Sequence, residues 1–323
     1  MAERTSPLGL AFLGCGAATR MHSRTLRRMP GLSRYYASRD AGRAGEFNRE
    51  LNGTGAFASY EAAIADPRVH AVLVATPPNL HLELVTAALA ARKHVIVEKP
   101  AFLASADFDA VARDATQADR QVCVAENYYY KPIARRLRSL VAEGAFGEVR
   151  YVIVNALKRQ ETSDWRGDAA VAGGGALFEG GVHWVNFMAN IGLDVTRIEA
   201  RRPGGTKGLE RSMLLVFDYA DGAVGTLAHS WEIRSPLKGV RLSGVFGTAG
   251  SATFESNGLG LLVLGKRTRL ALPGVRDFLG YGAMFDDFLE AIRRNREPAM
   301  TLALARRDVE LVELAYRSAA RDG

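Results

Sequence analysis

Cysteine is scarce in this chain. Among 323 residues only Cys15 and Cys123 carry a thiol, and neither stands in a CxxC or Cys/His spacing. That argues against a disulfide framework and a structural zinc site, and no metal is expected. Cys15 falls inside a glycine-rich turn, where its small size is explanation enough. Long apolar runs are missing too: none approaches the ~20 residues that a membrane helix needs. Met1–Pro7 is polar and short, without the basic start, extended apolar core or small-residue cleavage site of a secretory signal. A cytoplasmic protein with no membrane partner is the expectation. Arginines cluster at Arg135, Arg136 and Arg138 and at Arg293, Arg294 and Arg296, within a net charge of +7. No nucleic-acid-binding module or base-stacking aromatic set accompanies them, so they read as solvated helix faces and no nucleic-acid partner is expected. A basic surface still favours anionic small molecules. Internal repeats and low-complexity segments are absent.

What is present is the mixture of a globular protein, 48% hydrophobic and 24% charged residues, in a chain long enough for two domains. Leu8–Gly14, Leu32–Ala37, Val69–Ala75, His94–Val97 and Gln121–Ala125 read as strands. Between them, the stretch from the glycine turn to Met29, then Arg43–Leu51, Leu80–Arg92 and Asp107–Ala118, follow helical spacing. Such alternation predicts a parallel sheet covered on both faces. Past Asn127 the rhythm changes. A helix is predicted over Ile133–Glu143, a long strand over Glu148–Lys158 and a helix over Phe178–Asn190. Further strands are predicted over Ser212–Tyr219, Ala223–Trp231, Val240–Phe246 and Leu259–Leu264, with turn pairs Asp221-Gly222 and Asn257-Gly258 between them. The C-terminal segment returns to helix, broken by Pro298. The expected fold is an α/β Rossmann domain, a doubly wound parallel sheet, over residues 1–127. An α+β domain with a large, mainly antiparallel open sheet follows over residues 128–323, for substrate binding and oligomerisation.

Gly14-Cys15-Gly16 ends the first strand and opens the first helix. The first glycine permits the tight turn, and the second lets the backbone approach a pyrophosphate at the helix N-terminus, beside Ala17 and Ala18. Thr19 stands where GxGxxG has its third glycine, so the helix is expected to sit slightly further out. An ordinary β–α turn is the alternative. At the end of the second strand, where an NAD enzyme carries a carboxylate for the ribose 2′-hydroxyl, stand Ser38 and Arg39. The planar fork of Arg39 suits a 2′-phosphate and favours NADP(H). NAD(H) stays open, because Asp40 can turn toward a hydroxyl. Ser38 or Asp40 can equally cap the following helix.

Three further segments are more specific. Ala75-Thr76-Pro77-Pro78-Asn79-Leu80-His81 and Val97-Glu98-Lys99-Pro100 each follow a strand, and Gly173-Gly174-Gly175-Ala176-Leu177-Phe178-Glu179-Gly180-Gly181-Val182-His183 opens a helix. With the GCG turn they resemble the Gfo/Idh/MocA oxidoreductase family over nearly the whole chain. The resemblance implies that Thr76, Pro77, Asn79 and His81 line the cofactor channel and that Glu98 and Lys99 sit beside the nicotinamide ribose. It further implies that Lys99 reaches the reacting oxygen and that His183 is the acid/base. Glu179 stands where the family commonly has Asp. Asn186 replaces a second common Asp, and Tyr129 stands where many relatives carry Arg, which leaves the substrate class open.

The chemistry agrees. Hydride exchange between a nicotinamide and a carbinol carbon makes or removes charge on oxygen, which a cation stabilises while a group titrating near neutrality moves the proton. Lys99 and His183 supply these groups. Glu179 and His183 are four positions apart, so on an α-helix they share a face and the carboxylate orients the imidazole. A surface ion pair is the bland alternative. Gly180 and Gly181 each cost a helix about 1 kcal/mol relative to alanine, which suits a place where another molecule approaches the backbone. Asn127 is expected to touch the cofactor. Lys158, Trp165, Arg166 and Asn186 are candidate substrate contacts, though a solvated lysine and a tryptophan covering the core fit equally. His229 and Trp231 read as packing residues. The expected enzyme is an NAD(P)-dependent oxidoreductase interconverting a secondary alcohol and a ketone on a sugar, cyclitol or related polyol. Cofactor-assisted glycoside cleavage and a non-catalytic NADP(H) sensor are the alternatives. A homodimer or homotetramer through the second domain's sheet is expected, since too few helices are available to cover both faces.

Overall fold

The computed structural model describes residues 7–161, 165–205, 208–235 and 240–321, with the side chain of Trp165 outside that description. The chain forms two compact units, Met1–Ala125 with Met284–Ala305 and Glu126–Ala283 with Arg306–Gly323. The expected break after residue 127 thus lies two residues beyond the observed one. A simple two-part division does not foresee that Met284–Ala305 returns to the first unit. That return has a physical cause. The helix Tyr281–Arg294 buries Phe285 and Phe288, and Phe285 packs edge-on against His22 of the first unit at 5.1 Å.

The first unit is built on six parallel strands: β1 (Leu8–Leu13), β2 (Leu32–Ala37), β3 (Gly55–Phe57), β4 (Ala71–Val74), β5 (His94–Val97) and β6 (Val122–Val124). Their order is β3-β2-β1-β4-β5-β6, the dinucleotide-binding order in which the chain reverses direction between β1 and β4. Leu10–Leu13, Val72–Val74 and Val95–Val97 are fully buried, as expected of parallel strands covered on both faces. The three-residue β3 and the helix Tyr60–Ala65 escape the sequence reading because neither is long enough to show a period.

The second unit carries eight strands: β7 (Val149–Leu157), β8 (Val195–Arg201), β9 (Ser212–Tyr219), β10 (Val224–Ser230), β11 (Leu242–Gly247), β12 (Ser251–Glu255), β13 (Leu261–Leu264) and β14 (Arg269–Ala271). They run in the order β14-β13-β12-β11-β7-β10-β9-β8. Only β7 and β10 pair in parallel; the other neighbours are antiparallel. Alternation along β7 buries Val152, Val154 and Ala156 while Tyr151 and Ile153 stay exposed, so one face of the sheet is packed and the other open. Among the described residues no helix is long and apolar enough to cross a membrane.

Candidate active site

In the first unit the glycine turn leaves β1 at Gly14, whose φ of +112° is left-handed and whose Cβ would meet the Ala75 carbonyl at 2.6 Å. Only glycine fits there. Thr19 does not push the helix Ala17–Leu26 away: its hydroxyl donates to the Gly14 carbonyl at 2.6 Å and locks the turn. Gly16 is different. Its backbone suits any residue, and an ideal Cβ would have no heavy atom of the protein within 4 Å. The N-cap gives the helix that follows no side-chain bond, which leaves its first N–H groups for another acceptor. Beyond β4 the hydroxyl of buried Thr76 has no hydrogen-bond partner among the described residues. A glycine with room to spare, an uncapped helix start and an orphan hydroxyl fit a dinucleotide pyrophosphate.

Asp40 caps the helix Ala41–Glu50, accepting from Gly42 N at 2.9 Å and Arg43 N at 3.2 Å. One of its carboxylate oxygens, Oδ1, takes both of these bonds. The buried Ser38 hydroxyl accepts from Asp40 N at 3.2 Å. Arg39 is exposed beside the Tyr60 hydroxyl and pairs with no carboxylate among the described residues. Arg43, which sequence reasoning missed, donates through Nε to the Cys15 carbonyl at 2.8 Å and brings a second guanidinium to the glycine turn.

Two expected cofactor contacts make hydrogen bonds within the protein itself. His81 is 1% exposed. Its Nε2 faces the Thr76 carbonyl at 2.9 Å, and its Nδ1 faces those of Pro100 and Ala101 at 3.1 Å each. It ties the two loops together, and burial lowers its proton affinity. Asn127 belongs to the second unit, is buried, and donates from Nδ2 to the Leu279 carbonyl at 2.7 Å. Pro77 is half-buried and Asn79 exposed on the loop after β4. Glu98 follows β5 and bonds His22 Nε2 and the Lys99 N–H. Burial pushes its carboxyl up, but the His22 and Lys99 interactions outweigh that and hold it at about 2. His22 is a second residue that the sequence reading did not single out.

In the second unit, His183 is the second residue of the helix Val182–Ala189, which directly follows a π-helix, Leu177–Gly181. The wider turn removes the α-helical face that Glu179 and His183 were expected to share. The carboxylate on His183 Nδ1 is Glu126, at 2.6 Å, while Glu179 pairs with Arg166 Nε at 3.0 Å. Glu126 is 2% exposed and also accepts from the Tyr128 N–H at 3.0 Å, capping the short helix Asn127–Tyr130. An ionised carboxylate here would only accept, which places the proton on Nδ1 and leaves Nε2 as the nitrogen able to exchange one. Tyr128 stacks on the imidazole, centroids 4.5 Å apart and 14° between planes.

The glycines have local reasons. A Cβ on Gly175 would lie 1.8 Å from Glu210 Oε2, and one on Gly180 would lie 2.5 Å from the Trp231 ring. Besides Leu177, the protein's own groups close to Gly180 and Gly181 are Trp231 and His229. Both are buried, as packing residues are. Glu210 accepts from Leu177 N at 2.7 Å and from the Tyr316 hydroxyl at 2.8 Å, which anchors the start of the π-helix. Asn186 is fully buried and donates to Asp308 Oδ2 at 2.6 Å, so it is no substrate contact. Arg166, through Glu179, joins the His183 segment, and Lys158 lies near His229.

A family model described as "Oxidoreductase family, NAD-binding Rossmann fold" matches residues 8–126, and one for the GFO/IDH/MocA C-terminal domain matches residues 134–253. The chain belongs to the Gfo/Idh/MocA oxidoreductase family. A trans-1,2-dihydrobenzene-1,2-diol dehydrogenase from Sus scrofa is 29% identical over 216 residues, 66% of this chain and 64% of that enzyme. A D-xylose 1-dehydrogenase (NADP(+)) from Haloferax volcanii is 37% identical over 201 residues, 61% of each chain. The matches thus span less than two thirds of these two relatives' length. The solved structure of a levoglucosan dehydrogenase with NADH and levoglucosan superposes with a TM-score of 0.89 over 98% of both chains at 21% identity, which shows the shared fold. Within this Gfo/Idh/MocA member, Glu126 is the residue that sequence reasoning missed most plainly, because it precedes its partner by 57 positions.

Proposed function

We propose that the protein is an NAD(P)-dependent oxidoreductase, with NADP(H) favoured, that interconverts a secondary alcohol and a ketone on a sugar, cyclitol or related polyol. The observation that carries this reading is the pairing of buried Glu126 with half-buried His183, in a chain whose other unit has an open glycine turn. A bound nicotinamide supplies the hydride acceptor or donor. Glu126 holds the imidazole with its proton on Nδ1, and His183 Nε2 takes the hydroxyl proton on oxidation or returns it on reduction. Lys99, in the family's place for the group that reaches the reacting oxygen, stabilises charge there. Glu98 takes a bond from the Lys99 backbone and fixes the start of that loop. Gly14, Gly16, Ala17, Ala18 and Thr76 serve the pyrophosphate end of the cofactor. Arg39, exposed beside the Tyr60 hydroxyl, serves the 2′-phosphate, and Ser38 in place of a carboxylate at the end of β2 supports the preference for NADP(H). Lys158 and Arg166 serve the substrate.

The reading is tested with a panel of keto-sugars, inosones and diones, each offered with NADPH and with NADH. Oxidation of one NADPH per ketone reduced is expected, and Arg39→Ala weakens NADPH binding far more than NADH binding. Turnover without net NADPH consumption, or equal loss of both cofactors in Arg39→Ala, contradicts it. We also infer that two or four copies join through the open face of the eight-stranded sheet, where Tyr151 is 58% and Leu270 78% exposed.

A further inference from the structure

Lys131 is the C-cap of the short helix Asn127–Tyr130 and stands directly before Pro132. The residue is 1% exposed. Its ammonium lies 4.3 Å from the centroid of the Tyr128 ring and 5.6 Å from that of Phe278. Tyr128 is also the ring on which His183 stacks, at 4.5 Å. Two groups cannot both cover one face of a phenol at these distances without colliding. The ring is therefore sandwiched, with the imidazole on one face and the ammonium on the other. An apolar side chain of similar length would fill the space without desolvating a charge, yet the chain buries a lysine here.

We propose that Lys131 is a positioning residue that sets the proton affinity of His183 through the Tyr128 ring. A cation draws on the negative π-face it covers, which makes the opposite face a poorer platform for a second cation. Lys131 thus disfavours the imidazolium form of His183, while Glu126 on Nδ1 favours it. The ammonium and the carboxylate act on the imidazole in opposite directions. The importance of this for turnover rests on the reading of His183 as the acid/base.

The other charged groups around the pair are identifiable. His183 follows the π-helix that carries Glu179, ion-paired to Arg166. On β10 it faces His229, whose proton affinity burial lowers to about 3, with Lys158 nearby. Lys131 faces Glu255 of β12, Arg241 and Glu126. Burial lowers its amine to about 8; Glu255 and Glu126 oppose that and Arg241 assists it. Asp308, pushed up to about 8 by burial, faces Glu126. All of these stay in place when Lys131 alone is changed.

The test is an NMR titration of histidine-labelled full-length protein, with the His183 resonance assigned by its loss in His183→Asn. Unit charges about 9 Å apart at an effective permittivity of about 20 shift a pKa by about one unit. Lys131→Met is expected to raise the His183 midpoint by about one unit, and Lys131→Gln, a second neutral variant, by a similar amount. Lys131→Arg keeps the charge and is expected to leave the midpoint within a few tenths of a unit of wild type. The limb of the kcat–pH profile that reports His183 moves with the midpoint. A midpoint unchanged in both neutral variants, or shifted equally in Lys131→Arg, overturns the proposal. Failure of the acid/base reading is distinguishable: His183→Ala would keep its turnover while the NMR shift in Lys131→Met persisted.

Discussion

Glu126 accepts from His183 Nδ1 at 2.6 Å inside a protein interior that leaves the carboxylate only 2% exposed. A neighbouring negative charge at that distance favours the imidazolium, typically by one to three pKa units. Removing the charge while keeping the shape therefore lowers the proton affinity of His183. Glu126→Gln is expected to move the acidic limb of kcat for alcohol oxidation down by about one to three pH units, since the neutral base then persists to lower pH. The pH dependence of initial rates in the oxidative direction checks this. A limb that stays in place would show that Glu126 does not set the base. The parallel substitution Glu179→Gln is expected to leave the limb nearly fixed, because that carboxylate forms an ion pair with Arg166.

At the scale of elements, the segment from Gly173 to His183 explains both what could be read in advance and what could not. Its glycines and its histidine stood out as a motif, and the family they indicated is the family observed. Strands β2, β5 and β9 were likewise evident from their apolar runs, because packing and pattern agree there. The π turn was not legible, since nothing in a run of Leu, Phe, Glu and two glycines distinguishes it from an α turn before the sheet presses against it. Nor were β3 and β14, three residues each, or β8, whose polar Thr196, Arg197 and Glu199 mask its alternation. Gly180 shows the constraint most directly. An added methyl would lie 2.5 Å from the Trp231 ring, and overpacking of this kind costs about 1–3 kcal/mol. Gly180→Ala is expected to lower Tm, whereas Gly45→Ala, in the helix Ala41–Glu50 with its Cβ 3.6 Å from Arg49, is expected to raise it slightly. Calorimetry on the two variants decides; equal Tm values would mean that the glycine is not there for packing.

For the whole molecule, the open face of the eight-stranded sheet presents Tyr151, Ile153, Leu242, Leu262, Leu264 and Leu270 to solvent in a single chain. Such an apolar area is unusual on a protein that stays monomeric. Light scattering is expected to give a dimer or tetramer at micromolar concentration, and the double variant Tyr151→Glu with Ile153→Glu is expected to dissociate it. A wild-type protein that is monomeric under those conditions would refute this part of the account. In the proposed mechanism the two units divide the labour: the first, an NAD-binding Rossmann fold, takes the nicotinamide cofactor and the second moves the proton. The measurement that tests this division most directly is the His183→Ala variant, assayed for turnover and, separately, for NADPH binding by fluorescence. The account predicts a kcat lowered by about 100- to 10,000-fold, the usual range for loss of a general acid or base, with NADPH affinity nearly intact. Near-normal turnover in His183→Ala on the best substrate would contradict it.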